Sequence, residues 1–265
     1  PAQVAFIIGL VAFGIMALIY GDFPLEYQPV PEVIPAREFL AYAAGIFMIA
    51  CAIGLLFRRT EATAARVLLP YLLVWLLLML PGLVVAPHTE VAWLTFGQVA
   101  VLVAGGWVLF ARVTDASPAS RLRFTQGYAG TRIAQLLFAI WLAPIGLSHF
   151  IYLHETVVLI PAWLPYKTGW AYLIGAGHIA AGLGVLFSVV PRLAATMEAA
   201  MLGVITILVW MPVVAAHPTS RVDWTALIIS WAITGGAWVV ASSFRGQPYL
   251  AVHRPAPADI RVSVP

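Results

Sequence analysis

Apolar residues along this chain come in long unbroken runs, and the polar residues fall between the runs rather than among them. Eight runs lie near residues 2–20, 37–57, 63–86, 91–113, 130–152, 169–189, 193–215 and 223–243. Each is long enough to cross about 30 Å of hydrocarbon as a helix rising roughly 1.5 Å per residue. In lipid a backbone must satisfy its own N–H and C=O groups, and a helix does so within one segment. The pattern therefore predicts an all-α, polytopic membrane protein with eight transmembrane helices. The first run has no basic leader and no small-residue cleavage site before Asp22, so it reads as a true span rather than a removed signal segment.

The runs also repeat. Residues 161–187, PAWLPYKTGWAYLIGAGHIAAGLGVLF, align without a gap on residues 31–57, PEVIPAREFLAYAAGIFMIACAIGLLF. Pro31, Pro35, Ala41, Tyr42, Gly45, Ile49, Ala50, Gly54, Leu56 and Phe57 fall on Pro161, Pro165, Ala171, Tyr172, Gly175, Ile179, Ala180, Gly184, Leu186 and Phe187. An offset of 130 residues predicts a first membrane repeat over 1–113, a linker over 114–129, a second repeat over 130–244 and a proline-rich tail over 245–265 that is extended or docked on a neighbour. Each repeat holds four runs, an even number, so both enter the bilayer in the same direction. The expected architecture is two parallel-repeat four-helix bundles about an axis along the membrane normal.

Composition agrees with the pattern, with 62% hydrophobic residues and 9% charged ones, against roughly 25% charged in soluble domains. A net charge of +3 and a pI near 9.2 would point to nucleic acid in a soluble chain. Here the basic residues sit in short loops, where they orient the helices, and a nucleic-acid partner is excluded. Arg58, Arg59, Arg66, Arg112, Arg121, Arg123, Arg132, Arg192, Arg245, Arg254 and Arg261 fall on one side, against Arg37, Lys167 and Arg221 on the other. That bias places the arginine-rich side and both termini in the cytoplasm, with the chain multi-pass in the plasma membrane. The single cysteine, Cys51, lies inside an apolar run and excludes an intrachain disulfide.

The two copies differ where chemistry could reside. His178 stands opposite Met48, His149 opposite Ile19, and Trp163 and Trp170 opposite Val33 and Leu40. Ala171, Gly175, His178 and Gly182 make a small ridge suited to close helix packing, so His178 must either bond to a neighbouring helix or face a ligand. The fifth run ends GLSHFIYLHE, which puts His149, Tyr152, His154 and Glu155 at the outer interface. The expected ligand-binding residues are His149, His178, Tyr152, Trp163 and Tyr172, around an apolar pocket at the outer ends of the fifth and sixth runs. Counted from those ends, the two histidines differ in depth by roughly 9 Å, too far for two ligands on one metal or haem iron. Glu198 and Arg192, near the start of the seventh run, read as snorkelling or locally paired. His88 and His217 match helix-stop positions, and Trp93, Trp163, Trp170 and Trp224 fit an aromatic belt. No glycine-rich phosphate loop, CxxC or HExxH is present, so a hydrolase or nucleotide-driven pump is not expected, and the chain more readily serves without catalysis of its own.

The runs SHFIYLHETVVLIPAWLP, WAYLIGAGHIAAGLGVLF and RLAATMEAAMLGVITILVWMP resemble the DoxX-like family of four-helix membrane proteins. The resemblance spans residues 130–243 and, through the repeat, residues 1–113 more weakly. It implies an accessory subunit of a respiratory or redox membrane complex, with a quinone or lipid as ligand and other subunits as partners. A small-molecule carrier built from parallel repeats and a haem or metal redox protein stand as alternatives.

Overall fold

Polar and proline-bearing joints cut the apolar runs into helices close to where the pattern placed them. The computed structural model describes residues 2–24, 27–114 and 123–252. Its long helices are α1 (Ala2–Tyr20), α2 (Arg37–Gly54), α3 (Glu61–Val85), α4 (Glu90–Val113), α5 (Gly127–Ile151), α7 (Lys167–Leu186), α8 (Pro191–Ile205) and α10 (Arg221–Ser242). Short α6 (Leu153–Leu159) follows α5, and a π turn at Thr206–Trp210 joins α8 to α9 (Met211–Ala216). With α8 to α9 taken as one span, eight helices are long and apolar enough to cross a membrane. Among the described residues there is no strand, so this is an all-helical, multi-pass membrane protein.

Residues 115–122 of the expected linker and 253–265 of the expected tail lie outside the described residues. A 3₁₀ turn at Arg123–Thr125 and the start of α5 at Gly127 already occupy the end of the linker. The first part of the tail docks on α8: Val190 N–H donates to the Ala251 carbonyl at 2.7 Å, Arg192 Nη1 donates to the Gln247 carbonyl at 2.8 Å, and the Arg192 guanidinium lies 4.0 Å from the Tyr249 ring centre.

The most deeply buried spans, α4 and α10, cross at the centre of the molecule. Lipid offers no hydrophobic drive for helix association, so close packing through small residues must supply it. A Cβ added to Gly105 of α4 would stand 2.6 Å from Gly236 Cα of α10. Around this pair, α1 packs on α10 and α2, α4 on α3 and α5, α5 on α7, and α8 on α7 and α10. The same local solutions occur twice. α1 meets α2 where a Cβ on Gly14 would lie 2.7 Å from the Gly45 carbonyl, and α5 meets α7 where one on Gly146 would lie 2.6 Å from the Gly175 carbonyl. Ala36 and Tyr166, at the N-caps of α2 and α7, both take the left-handed φ of 55°. Trp93 Nε1 donates to the Pro87 carbonyl at 3.0 Å, and Trp224 Nε1 to that of Pro218 at 2.9 Å.

Polar side chains close the helix ends. Arg132 of α5 donates from Nη1 and Nη2 to the Val185 and Leu186 carbonyls, at 3.3 and 3.1 Å, covering acceptors that the last turn of α7 leaves open. At the other end of the bundle, Asp22 pairs with Arg37 and, at 3.0 Å, with Arg221 Nη2. Arg221 also donates to the Phe23 carbonyl at 2.9 Å, so the loop after α1 is tied to the start of α10. Burial works to raise the Asp22 carboxyl, but hydrogen bonds from Arg221, the Phe23 N–H and Arg37 outweigh it and hold the group below the ordinary carboxylate range.

Candidate functional site

Helical spacing puts Ile145, Ser148 and His149 along one face of α5, with Tyr152 at its C-cap, and Ile174 and His178 one turn apart on α7. The Gly146 and Gly175 crossing lets these faces approach closely. His178 Cβ would sit 3.2 Å from a Cβ on Gly146, and His149 Cβ 3.0 Å from one on Gly175. The two imidazole rings therefore meet, with centroids 5.2 Å apart and planes tilted by 44°. This corrects the separation in depth expected from the sequence. That expectation measured both residues from a common membrane plane, but the chain continues past the end of α5 into α6 before turning back to α7. The helix ends are thus staggered, and the histidines share a level.

Behind His178 stands an acid expected to snorkel or to pair locally. Glu198 of α8 does not snorkel; it is 1% exposed, and its Oε1 lies 2.7 Å from His178 Nδ1. Its second oxygen is buried without a hydrogen-bond partner. The pairing follows from the packing of α7 against α8, whose inner face is made of Ala195, Ala199 and Leu202 together with Glu198. His149 turns its Nδ1 to the Ile145 carbonyl at 3.0 Å. Ser148 Oγ donates to that carbonyl at 2.7 Å.

Both rings line a cavity of about 560 Å³. Its walls come from α4 (Leu94, Thr95, Gln98), α5, α6, α7, the segment from Leu202 to Trp210, and α10 (Ile229, Ser230, Ile233), with Tyr27 from the loop after α1. Glu155 and Asp223 stand at the end away from the arginine-rich face. The lining is mainly apolar, with few polar groups to fix orientation, as in small-molecule sites generally. The π turn forms part of the wall. Pro212 just beyond it cannot supply the N–H that would bond back to the Leu208 carbonyl, and a wider turn accommodates the loss. Beside it Thr206 Oγ1 lies 2.7 Å from Ser230 Oγ and 3.2 Å from Thr234 Oγ1, joining this span to α10.

Of the five expected ligand residues, the structure brings His149, His178 and Tyr152 to the cavity. Trp163 and Tyr172 do not line it, which corrects both expectations. Tyr172 lies six residues before His178, some 240° around the helix; it stacks on Phe150 with centroids 5.8 Å apart. Trp163 sits in the loop before α7, 69% exposed. The cavity is also broader than expected, since α4, α10 and Tyr27 enclose it together with α5 and α7. The equivalence of Ile19 with His149 shifts too. The contact that His149 Cβ makes at Gly175 is made at Gly45 by Ala17, whose Cβ would lie at 3.1 Å, whereas Ile19 is 68% exposed. Met48 is buried and accepts a hydrogen bond from Gln28 Nε2 at 3.8 Å. His88, His154 and His217 are exposed, and His217 Nδ1 faces Asp223 Oδ2 at 3.3 Å. Among the described residues no group of three or more His, Cys, Asp or Glu side chains is arranged to hold a metal ion.

The chain matches no family model, no curated protein and no solved structure.

Proposed function

We propose that this chain is an accessory membrane subunit of a respiratory or redox complex, and that the His149 and His178 cavity binds an amphiphile of the quinone or lipid-headgroup class. One observation carries the proposal: two imidazoles with centroids 5.2 Å apart sit on the wall of a mainly apolar cavity inside the membrane span. A buried pair of polar rings is costly in hydrocarbon unless it is used, and an apolar body with a small polar head complements such a wall. The resemblance of residues 130–243 to DoxX-like proteins favours the same class of partner.

The chain is further read as two fused four-helix units in parallel orientation. The matched crossings at Gly14 with Gly45 and Gly146 with Gly175, and the matched left-handed caps at Ala36 and Tyr166, support this. The arginine bias supports cytoplasmic termini and a plasma-membrane location. The proposal is tested by extracting bound quinone and lipid from wild type, His178→Leu and Met48→Leu after identical purification. A co-purifying molecule should be lost from the His178 variant alone; equal occupancy in all three would remove the site.

A second reading, a small-molecule carrier, draws on one specific feature. The cavity touches both halves of the chain and abuts a span interrupted by a π turn, and transporter sites often lie where repeats meet at discontinuous helices. Flux of a bound ligand across reconstituted vesicles would separate the carrier from the subunit.

A further inference from the structure

Each histidine ring of the cavity has one nitrogen engaged, and the partner decides what the other nitrogen can do. His149 Nδ1 lies 3.0 Å from the Ile145 backbone carbonyl. A carbonyl only accepts, so Nδ1 carries the hydrogen. In the neutral ring Nε2 is then a lone-pair acceptor.

For His178 the logic runs through Glu198. The Nδ1 to Oε1 contact of 2.7 Å is sealed, with side chains 1% and 0% exposed. A net charge at this depth is expensive, so the pair is most stable with one shared proton and no net charge. If that proton is on Glu198 Oε1, it is donated to Nδ1, and the ring keeps its own hydrogen on Nε2. If the proton is on the ring, both nitrogens carry hydrogen. A third arrangement, with the proton on Glu198 Oε2, would strand a buried O–H, because that oxygen has no partner. Both remaining states make His178 Nε2 a donor.

We infer that the two rings offer opposite hydrogen-bonding characters to a single ligand atom, an acceptor on His149 and a donor on His178, so that the cavity selects an amphiphile headed by a hydroxyl. A hydroxyl oxygen donates to one ring and accepts from the other; a phenol, a hydroquinone or a protonated carboxylic acid qualifies. A quinone carbonyl or an ether only accepts and leaves the His149 nitrogen unanswered. One oxygen with hydrogen bonds of about 2.8 Å on either side, at a roughly tetrahedral angle, bridges ring nitrogens about 4.6 Å apart, a separation within reach of rings whose centroids are 5.2 Å apart. Ser148 Oγ lies 3.4 Å from His149 Nδ1, but its hydrogen goes to the Ile145 carbonyl at 2.7 Å, so Nδ1 stays the hydrogen-bearing nitrogen and Nε2 the acceptor. The inference rests on the ligand-binding reading of this cavity and adds the chemistry of the head group.

Matched probes decide it: 1-naphthol, which donates and accepts, against 1-methoxynaphthalene, which only accepts. Binding of each to the full chain in nanodiscs is measured by equilibrium dialysis, with binding to empty nanodiscs subtracted. Wild type should hold 1-naphthol about tenfold more tightly, the worth of one well-made hydrogen bond. His149→Phe should bring the ratio to about one, and His149→Gln, whose amide oxygen accepts, should restore most of it. Equal binding of the two probes by wild type, or a ratio that survives in His149→Phe, overturns the hydroxyl preference while leaving the cavity a binding site. Binding of neither probe above empty nanodiscs overturns both readings, and the wild-type ratio alone is decisive if the phenylalanine variant fails to fold.

Discussion

Removing either member of the His178 and Glu198 pair leaves the other buried without a partner, and such an orphan costs more than the pair contributes. Glu198→Leu should therefore lower stability by about 3 kcal/mol, while the double variant with His178→Leu should recover part of that loss. Thermal unfolding in detergent checks this; a double variant as unstable as the sum of the singles would contradict it. At the surface Asp22 predicts a pH effect. Its carboxyl is held below the ordinary range by Arg221, the Phe23 N–H and Arg37 against burial, so its folded value is depressed. The contribution to stability is then full above the unfolded value of about 3.9. It is lost as pH falls through the lower folded value. Melting curves between about pH 5 and 3 should fall less steeply for Asp22→Asn than for wild type. At this scale the sequence was partly legible. His149, His178 and Tyr152 stood out as polar groups in apolar runs, but Glu198 was hidden. It lies only seven residues into its helix, where a snorkelling acid and a buried one look alike without the neighbouring helix.

Helix crossings carry the next test. A Cβ added to Gly105 of α4 would stand 2.6 Å from Gly236 Cα, against backbone, so Gly105→Leu should abolish the folded bundle. Gly82 of α3 has nothing within 4 Å of an added Cβ, and Gly82→Leu should be tolerated or mildly stabilising, since leucine outranks glycine in a helix. Monodispersity and melting temperature of the two variants compare them directly; similar behaviour would mean that the crossing has been misjudged. The spans were legible as elements because long apolar runs bounded by charge have few other solutions in lipid. The π turn was not. Pro81 sits inside the continuous helix α3, whereas Pro212 follows a widened turn, so proline alone does not announce the interruption. What differs is the setting, with Thr206 bonded across to Ser230 of α10.

Over the whole molecule, most of the described arginines lie at one end, while Arg37 and Arg221 stand at the other with Asp22, Glu155 and Asp223, so reporter fusions after Arg123 and after Glu155 should report opposite sides of the membrane. Finding both on one side would end the proposed topology. The meeting of His149 with His178 also belongs to this scale. It could not be read from counting residues inward from helix ends, because α6 extends the chain beyond α5 and staggers it against α7. Nor could the contribution of α4, α10 and Tyr27 to the cavity, which depends on how the two halves pack across the Gly105 and Gly236 crossing. The cavity is thus a property of the assembled chain, and its occupancy is the central claim. The most direct measurement is a high-resolution map of the full chain purified in native lipid. A non-protein molecule is predicted with its polar head between His149 and His178 and its apolar body against Leu94, Ile174 and Val209. A well-ordered map in which side chains close that space, or only acyl tails fill it with no polar atom near either ring, would contradict the proposal.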